Sequence, residues 1–379
     1  MRIGVITYWS ASGNYGQLLQ CYALQKYLRL RGHDAFLIRY YPKHHPATTL
    51  PGRIRRILRT PSLLLRLGSF LMRKVFPTPP QDLKKFDEFR AKYLKKTNNY
   101  YESKAALADS EIEADMYICG SDVIWSPVGF QLNEDGAVYF LNFGSPAAKR
   151  VAYAASFGSD TIPQKVKNFI APLLANLDAI GVREESGLQI CKACGITNAR
   201  VVVDPTLLLD KQTYLDMIPS PPHHQKYMFF YFIEGTMDIP WDDIVAFSGQ
   251  MNWQCKMAAP PNISKNDAVE LIFPEIPVWL HCINDAECVF TNSFHGIVFA
   301  VLMHRPFLCV LREKTDVLMP LNDRLVSFLT RLGLASRVYS RTRGTFSSQM
   351  MQPIDWEAVD NKRSAFQEQS EYFLKEQGV

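Results

Sequence analysis

A short apolar run at residues 3–7 (IGVIT), a polar loop at 10–14 and a helix-patterned segment over 15–31 that stops at Gly32 constrain this chain more than any other feature. The apolar run predicts a buried strand, the 3.6-residue spacing predicts a helix, and residues 35–40 predict the next strand. Strands joined through a helix enter one sheet in parallel, whereas an antiparallel pair needs only a tight turn. Apolar runs return at 116–119, 151–155, 179–182 and 201–203, with helical segments between most of them and a polar helix over 81–96.

The proline-rich stretch 219–225 reads as a linker. Beyond it, strand patterns at 227–233, 256–258, 288–291 and 307–311 accompany helical patterns at 277–284, 294–304 and 322–332. A chain of 379 residues exceeds what one hydrophobic core usually covers. The expectation is therefore an α/β protein of two Rossmann-like, doubly wound domains facing a cleft. The first takes residues 1–215 and the second 225–345, while a polar helix in 350–379 returns to the first.

The charge is +5 overall but unevenly placed, with nine Lys or Arg and no Asp or Glu over residues 35–81. Within it Ile54, Ile57 and Leu58 sit among Arg53, Arg55, Arg56 and Arg59. A basic amphipathic insert at about 43–80 suits either an anionic membrane surface or a helix packed on its own domain with a solvated basic face. No recognition module accompanies it, so nucleic acid is not an expected partner. The longest apolar stretch, 297–303, is far short of the roughly 20 residues of a membrane span, and residues 1–7 lack the apolar region of an export signal. The expected location is the cytoplasm, with contact at the cytoplasmic face of the inner membrane as an option. Eight cysteines then read as reduced, and the lone Cys191/Cys194 pair lacks the second pair of a zinc site, so no metal is expected.

In open parallel sheets, ligands bind beyond the carboxyl ends of strands, where helix N-termini present unpaired N–H groups. The candidate binding residues fall there: Asn14 and Gly16, then Gly120, Ser121 and Asp122, then Ser156, Arg183, and finally Ser293, His295 and Gly296. Each has a structural alternative, since glycines serve turns, a loop aspartate caps one, and Arg183 has Glu184 and Glu185 for neighbours. His295 stands out by position, because the first turn of a buried helix favours an anion beside it.

In order, the motifs 14–20 (NYGQLLQ), 120–125 (GSDVIW), 153–158 (YAASFG), 182–187 (VREESG), 204–208 (DPTLL) and 291–296 (TNSFHG) resemble the polysaccharide pyruvyl transferase family. The resemblance implies the two-domain arrangement of GT-B glycosyltransferases. It also implies transfer of the enolpyruvyl unit of phosphoenolpyruvate onto two hydroxyls of a sugar, giving a cyclic ketal and phosphate, with no cofactor beyond that donor. Such chemistry needs cations for a phosphate and a carboxylate, an acid for the methylene carbon and a base for the hydroxyl. Arg183, whose planar fork suits a carboxylate or phosphate, is the candidate anion clamp; the resemblance makes His295 the donor-site residue and acid, and Asp122 is the choice for base. The acceptor it suggests is a galactose-like unit of a lipid-linked oligosaccharide in capsule or exopolysaccharide assembly. Other branches carry an arginine where this chain has Ser293, leaving Arg150, Arg305, Arg312 and Arg324 as sources of a second cation. A GT-B nucleotide-sugar glycosyltransferase and a non-catalytic assembly factor remain alternatives.

Overall fold

The computed structural model describes the chain except residues 12, 43–79, 111, 128–131, 220–224, 234–236, 259–265 and 314–321. The basic insert and most of the 219–225 linker therefore lie outside the described residues. Six strands, β1 (Arg2–Ile6), β2 (Asp34–Leu37), β3 (Met116–Cys119), β4 (Lys149–Ala155), β5 (Ala179–Val182) and β6 (Arg200–Val201), form a sheet in the order β2-β1-β3-β4-β5-β6. Five more, β7 (Tyr227–Tyr231), β8 (Gln254–Ala258), β9 (Val269–Leu271), β10 (Cys288–Thr291) and β11 (Phe307–Cys309), form a second in the order β11-β10-β7-β8-β9. Every strand pairing among the described residues is parallel. The strand order reverses between β1 and β3 in one sheet and between β7 and β10 in the other, which opens a crevice at the carboxyl end of each.

Among the described residues, nine longer helices flank the sheets: α1 (Tyr15–Leu30), α2 (Pro80–Tyr93), α3 (Gln164–Ala175), α4 (Glu185–Ala193), α5 (Trp241–Met251), α6 (Ile276–Asn284), α7 (Phe294–Leu302), α8 (Asp323–Leu332) and α9 (Trp356–Glu376). Helix α1 contains no β-branched residue, and Asn14 caps it by accepting from Gln17 N at 3.2 Å, so side-chain entropy and the first turn both favour it. Twelve of its residues are buried, as are all nine of α7. A helix buried all round lies inside a protein rather than on it. Here both helices stand between the sheets, where residues of β1, α1, β7, α6, α7, α8 and α9 share one apolar core. Tyr15 stacks on Trp279 at 5.1 Å and meets Tyr231 edge-on at 5.6 Å, joining the first helix to the second sheet. The outer faces of the two sheets have cores of their own.

Helix α9 packs on the first sheet, with Phe373 6.3 Å from the Tyr153 ring and Ser370 Oγ accepting from Val203 N at 2.8 Å. No helix among the described residues is long and apolar enough to cross a membrane.

Candidate active site

The crevice ends of both sheets converge on one carboxylate. Asp204 follows β6 and caps the 3-10 turn Pro205–Leu207, its Oδ1 accepting from Thr206 N at 3.0 Å and Thr206 Oγ1 at 2.7 Å. That leaves Oδ2 to accept from Ser121 Oγ at 2.7 Å and Arg183 Nη1 at 3.0 Å. His295 Nε2, carried across from the second sheet by the first turn of α7, stands 3.5 Å from the same oxygen. That is long for a hydrogen bond, and Nε2 has no hydrogen-bond partner among the described residues. Asp204, Ser121, Arg183 and His295 are all buried. Burial alone would raise the Asp204 carboxyl, but the His295 ring and the Arg183 guanidinium beside it, with the Thr206 amide, hold it well below the ordinary carboxylate range.

A second carboxylate lies nearby. Asp122 follows β3 with φ +77, a left-handed backbone that aspartate tolerates better than most side chains. Its Oδ1 accepts from Val123 N at 2.9 Å, and its Oδ2 accepts from Gln17 Nε2 at 3.3 Å. Arg324 Nη1 of α8 stands 3.7 Å from Oδ1. The guanidinium carbons of Arg183 and Arg324 lie 4.5 and 6.0 Å from the centre of the Phe294 ring. Glu184 is the third acid, its Oε1 accepting from Phe157 N at 3.0 Å and its Oε2 lying 3.7 Å from Arg183 Nε. Burial raises its carboxyl, against the opposing charge of Arg183. Beside these groups β4 shifts register between Ala152 and Ala155, with Ala154 at φ +55. Such a bulge re-aims the strand end toward a site.

One glycine sets the approach of the two domains, and two others allow close packing within a domain. A methyl group at Gly16 would overlap the His295 ring, and one at Gly296 would lie 2.5 Å from Thr291 Oγ1. Gly120 packs on Thr7 in the same way, at 3.2 Å.

The structure brings Arg183, His295, Ser121, Asp122 and Gly16 together. The side chains of Asn14 and Ser293 serve as helix caps, Ser293 Oγ accepting from Gly296 N at 3.3 Å. Ser156 Oγ accepts from Gly158 N at 3.1 Å. The sequence motifs alone give Asp204 and Glu184 no role, although both lie within them. Of the four arginines left open, Arg150 is spent on the carbonyls of Leu141, Phe143, Ala148 and Ser145. Arg305 donates to Ala286 O, the Arg312 backbone exchanges hydrogen bonds with the Asn322 side chain, and Arg324 enters the site.

Among the described residues no cluster of His, Cys, Asp and Glu is arranged to hold a metal ion. A cavity of about 640 Å³ lies away from these groups, lined by Glu185, Leu188, Arg200, Arg331, Glu368 and Tyr372 among others. Its arginines are paired with Glu185 and Glu376, so its surface charge is largely satisfied.

Two facing parallel sheets with their crevice ends meeting at a shared buried cluster define a two-domain α/β protein of GT-B-like architecture. The family model for polysaccharide pyruvyl transferase matches residues 14–313, and the chain belongs to that family. Among solved structures it is similar to the UDP-N-acetylglucosamine 2-epimerase from Rickettsia bellii, at 9% identity over 99% of this chain and 96% of that one, with a TM-score of 0.49. It is also similar to UDP-GlcNAc 2-epimerase from Neisseria meningitidis bound to UDP-GlcNAc, at 10% identity, 98% and 94% coverage and TM-score 0.49. The glycosyltransferase SnogD from Streptomyces nogalater is a third, at 13% identity, 99% and 98% coverage and TM-score 0.40. No curated protein matches the sequence.

Proposed function

We propose that this pyruvyl transferase takes the enolpyruvyl unit of phosphoenolpyruvate and sets it on two hydroxyls of one sugar. The observation that carries the reading is the convergence of Arg183 and His295, from opposite domains, on one buried carboxylate in a chain of this family. In the proposed sequence the protonated His295 ring gives its proton to the donor's methylene carbon. The first sugar hydroxyl then attacks C2 and loses its proton to Asp122, the C2–O bond to phosphate breaks, and the second hydroxyl closes the ketal. Of the two hydroxyl protons, one balances the proton taken up by the methyl group and the other leaves with phosphate. Arg183 meets the developing negative charge with a fixed fork of N–H donors. Asp204 orients both Arg183 and His295 and is itself unchanged.

The acceptor we propose is a galactose-like residue on a lipid-linked oligosaccharide of capsule or exopolysaccharide assembly, handled at the cytoplasmic face of the membrane. The family membership and the basic segment 35–81 support that choice. The test is to mix the protein with phosphoenolpyruvate and a panel of sugar diols. Phosphate release should match, mole for mole, acceptor that has gained one pyruvate less one water. Binding of a uridine diphosphate sugar with no affinity for phosphoenolpyruvate would instead indicate glycosyl transfer.

A further inference from the structure

The site holds a cation that the scheme above does not use. Arg324 is 6% exposed, and its Nε is buried with no hydrogen-bond partner among the described residues. Its nearest counter-charge, Asp122 Oδ1 at 3.7 Å, lies beyond hydrogen-bond distance. Asp122 is also committed elsewhere, to Val123 N and Gln17 Nε2. Arg183 differs, since it keeps a hydrogen-bonded carboxylate at 3.0 Å, yet its Nε, 3.7 Å from Glu184 Oε2, and its Nη2 are likewise buried without a hydrogen-bond partner among the described residues. Two guanidinium groups with unused donors thus flank one phenyl ring. Burying unsatisfied charged donors is costly, and an arrangement kept at that cost fits a site completed by an anion.

We propose that Arg324 is a second donor-binding residue, so that Arg183 and Arg324 together grip a small donor carrying two separate anionic groups. The inference rests on the proposed function for the donor's identity, but not for the presence of an anion contact at Arg324. Two further features agree with it. Ser293, at the mouth of α7, is neutral and occupied as a cap, so that position adds no side-chain charge of its own. Burial, followed by the proximity of Arg183, pushes the Arg324 guanidinium down to about 9, the direction that an arriving anion reverses. Arg324 also reaches the first domain's Asp122 from a helix that follows the second sheet. An anion held by both arginines therefore links the two domains.

The experiment measures binding of phosphoenolpyruvate, inorganic phosphate and pyruvate by calorimetry to the wild-type protein, R324M and R324K, with melting curves for each. Loss of a charge-assisted contact predicts a fall in affinity on the order of 10- to 100-fold for R324M toward phosphoenolpyruvate. At least one of the two single anions should weaken with it, and R324K should recover part of the loss. Wild-type affinity of R324M for all three anions overturns the assignment. If the wild type turns over phosphoenolpyruvate while R324M binds it normally, the Arg324 contact fails and the donor stands. If the wild type binds phosphate but not phosphoenolpyruvate, and R324M loses the phosphate, the donor fails and the contact stands. A wild type that binds none of the three overturns both. Should R324M not fold, R324K decides: a raised KM for phosphoenolpyruvate at near-normal kcat supports the contact, and an unchanged KM sinks it.

Discussion

Replacing Asp204 by alanine removes the one carboxylate that Ser121, Arg183 and His295 share. The side chain is fully buried and takes four hydrogen bonds, from Thr206 N, Thr206 Oγ1, Ser121 Oγ and Arg183 Nη1. Deleting one partner of a buried ion pair strands the other, at about 3–5 kcal/mol. An unfolding entropy of about 2 cal/mol/K per residue gives this chain of 379 residues roughly 0.8 kcal/mol/K. The melting temperature of Asp204→Ala should therefore fall by about 4–6 °C. The pH dependence is a sharper check. The folded carboxyl lies well below its ordinary value of 3.8, so its contribution is complete above that value and declines as pH falls toward the folded pKa. The stability gap between wild type and Asp204→Ala should be level from neutrality down to about pH 5, then shrink by about 1.4 kcal/mol per pH unit below the unfolded value. Calorimetric melts of both proteins across that range measure it. A variant that melts within about 1 °C of wild type at neutral pH, or a gap that widens in acid, would refute the buried cluster as described.

Four other outcomes follow from the same geometry. Gly16→Ala forces the His295 ring aside and should lower kcat by about a hundredfold with a comparatively small change in melting temperature; equal losses in both would mean a folding defect instead. Glu184 has its carboxyl raised above 4.5 by burial, so its charged form costs stability as pH rises through the folded value. Melts of Glu184→Gln at about pH 5 and pH 8 should show the variant gaining on wild type at the higher pH, and a loss there would contradict the raised carboxyl. Tyr15→Ala removes a ring stacked on Trp279 and should cost about 3–5 kcal/mol in denaturant unfolding. Substituting Glu for Arg55, Arg56 and Arg59 should weaken sedimentation with anionic vesicles if the basic segment meets a membrane, by about 1 kcal/mol for each cation removed, and undiminished binding would remove that argument.

The alternation of short apolar runs and helical patterns is legible because it is local. The strands β3, β5 and β10 lie on the residues whose apolar runs announce them. Strand β9 carries no such signal, because Val-Glu-Leu is three residues long at a sheet edge, too short for any period to register. Helix α5 opens with Trp-Asp-Asp directly after Pro240, and its polar first turn masks the apolar spacing that follows. Boundaries drift where neighbouring strands, not local preference, decide pairing: residues 201–203 look like a strand, yet only Arg200 and Val201 pair with β5.

The site follows a different rule. Residues at strand ends can be named from pattern, but what their atoms touch depends on chain segments far away. Asp204 precedes a proline and reads as a turn cap, which one of its oxygens is; the other binds Ser121, 83 residues earlier in the chain. No periodicity carries that contact. Arg324 is closer to legible. On α8 it shares the buried face with Leu325, Phe328, Leu329 and Leu332, and an arginine on an apolar stripe requires a partner that a surface arginine does not. The helical spacing of those apolar residues is enough to separate Arg324 from Arg150 or Arg305. What spacing cannot supply is the partner, because Asp122 reaches Arg324 only once α8 and the end of β3 are brought together by the core the two sheets share.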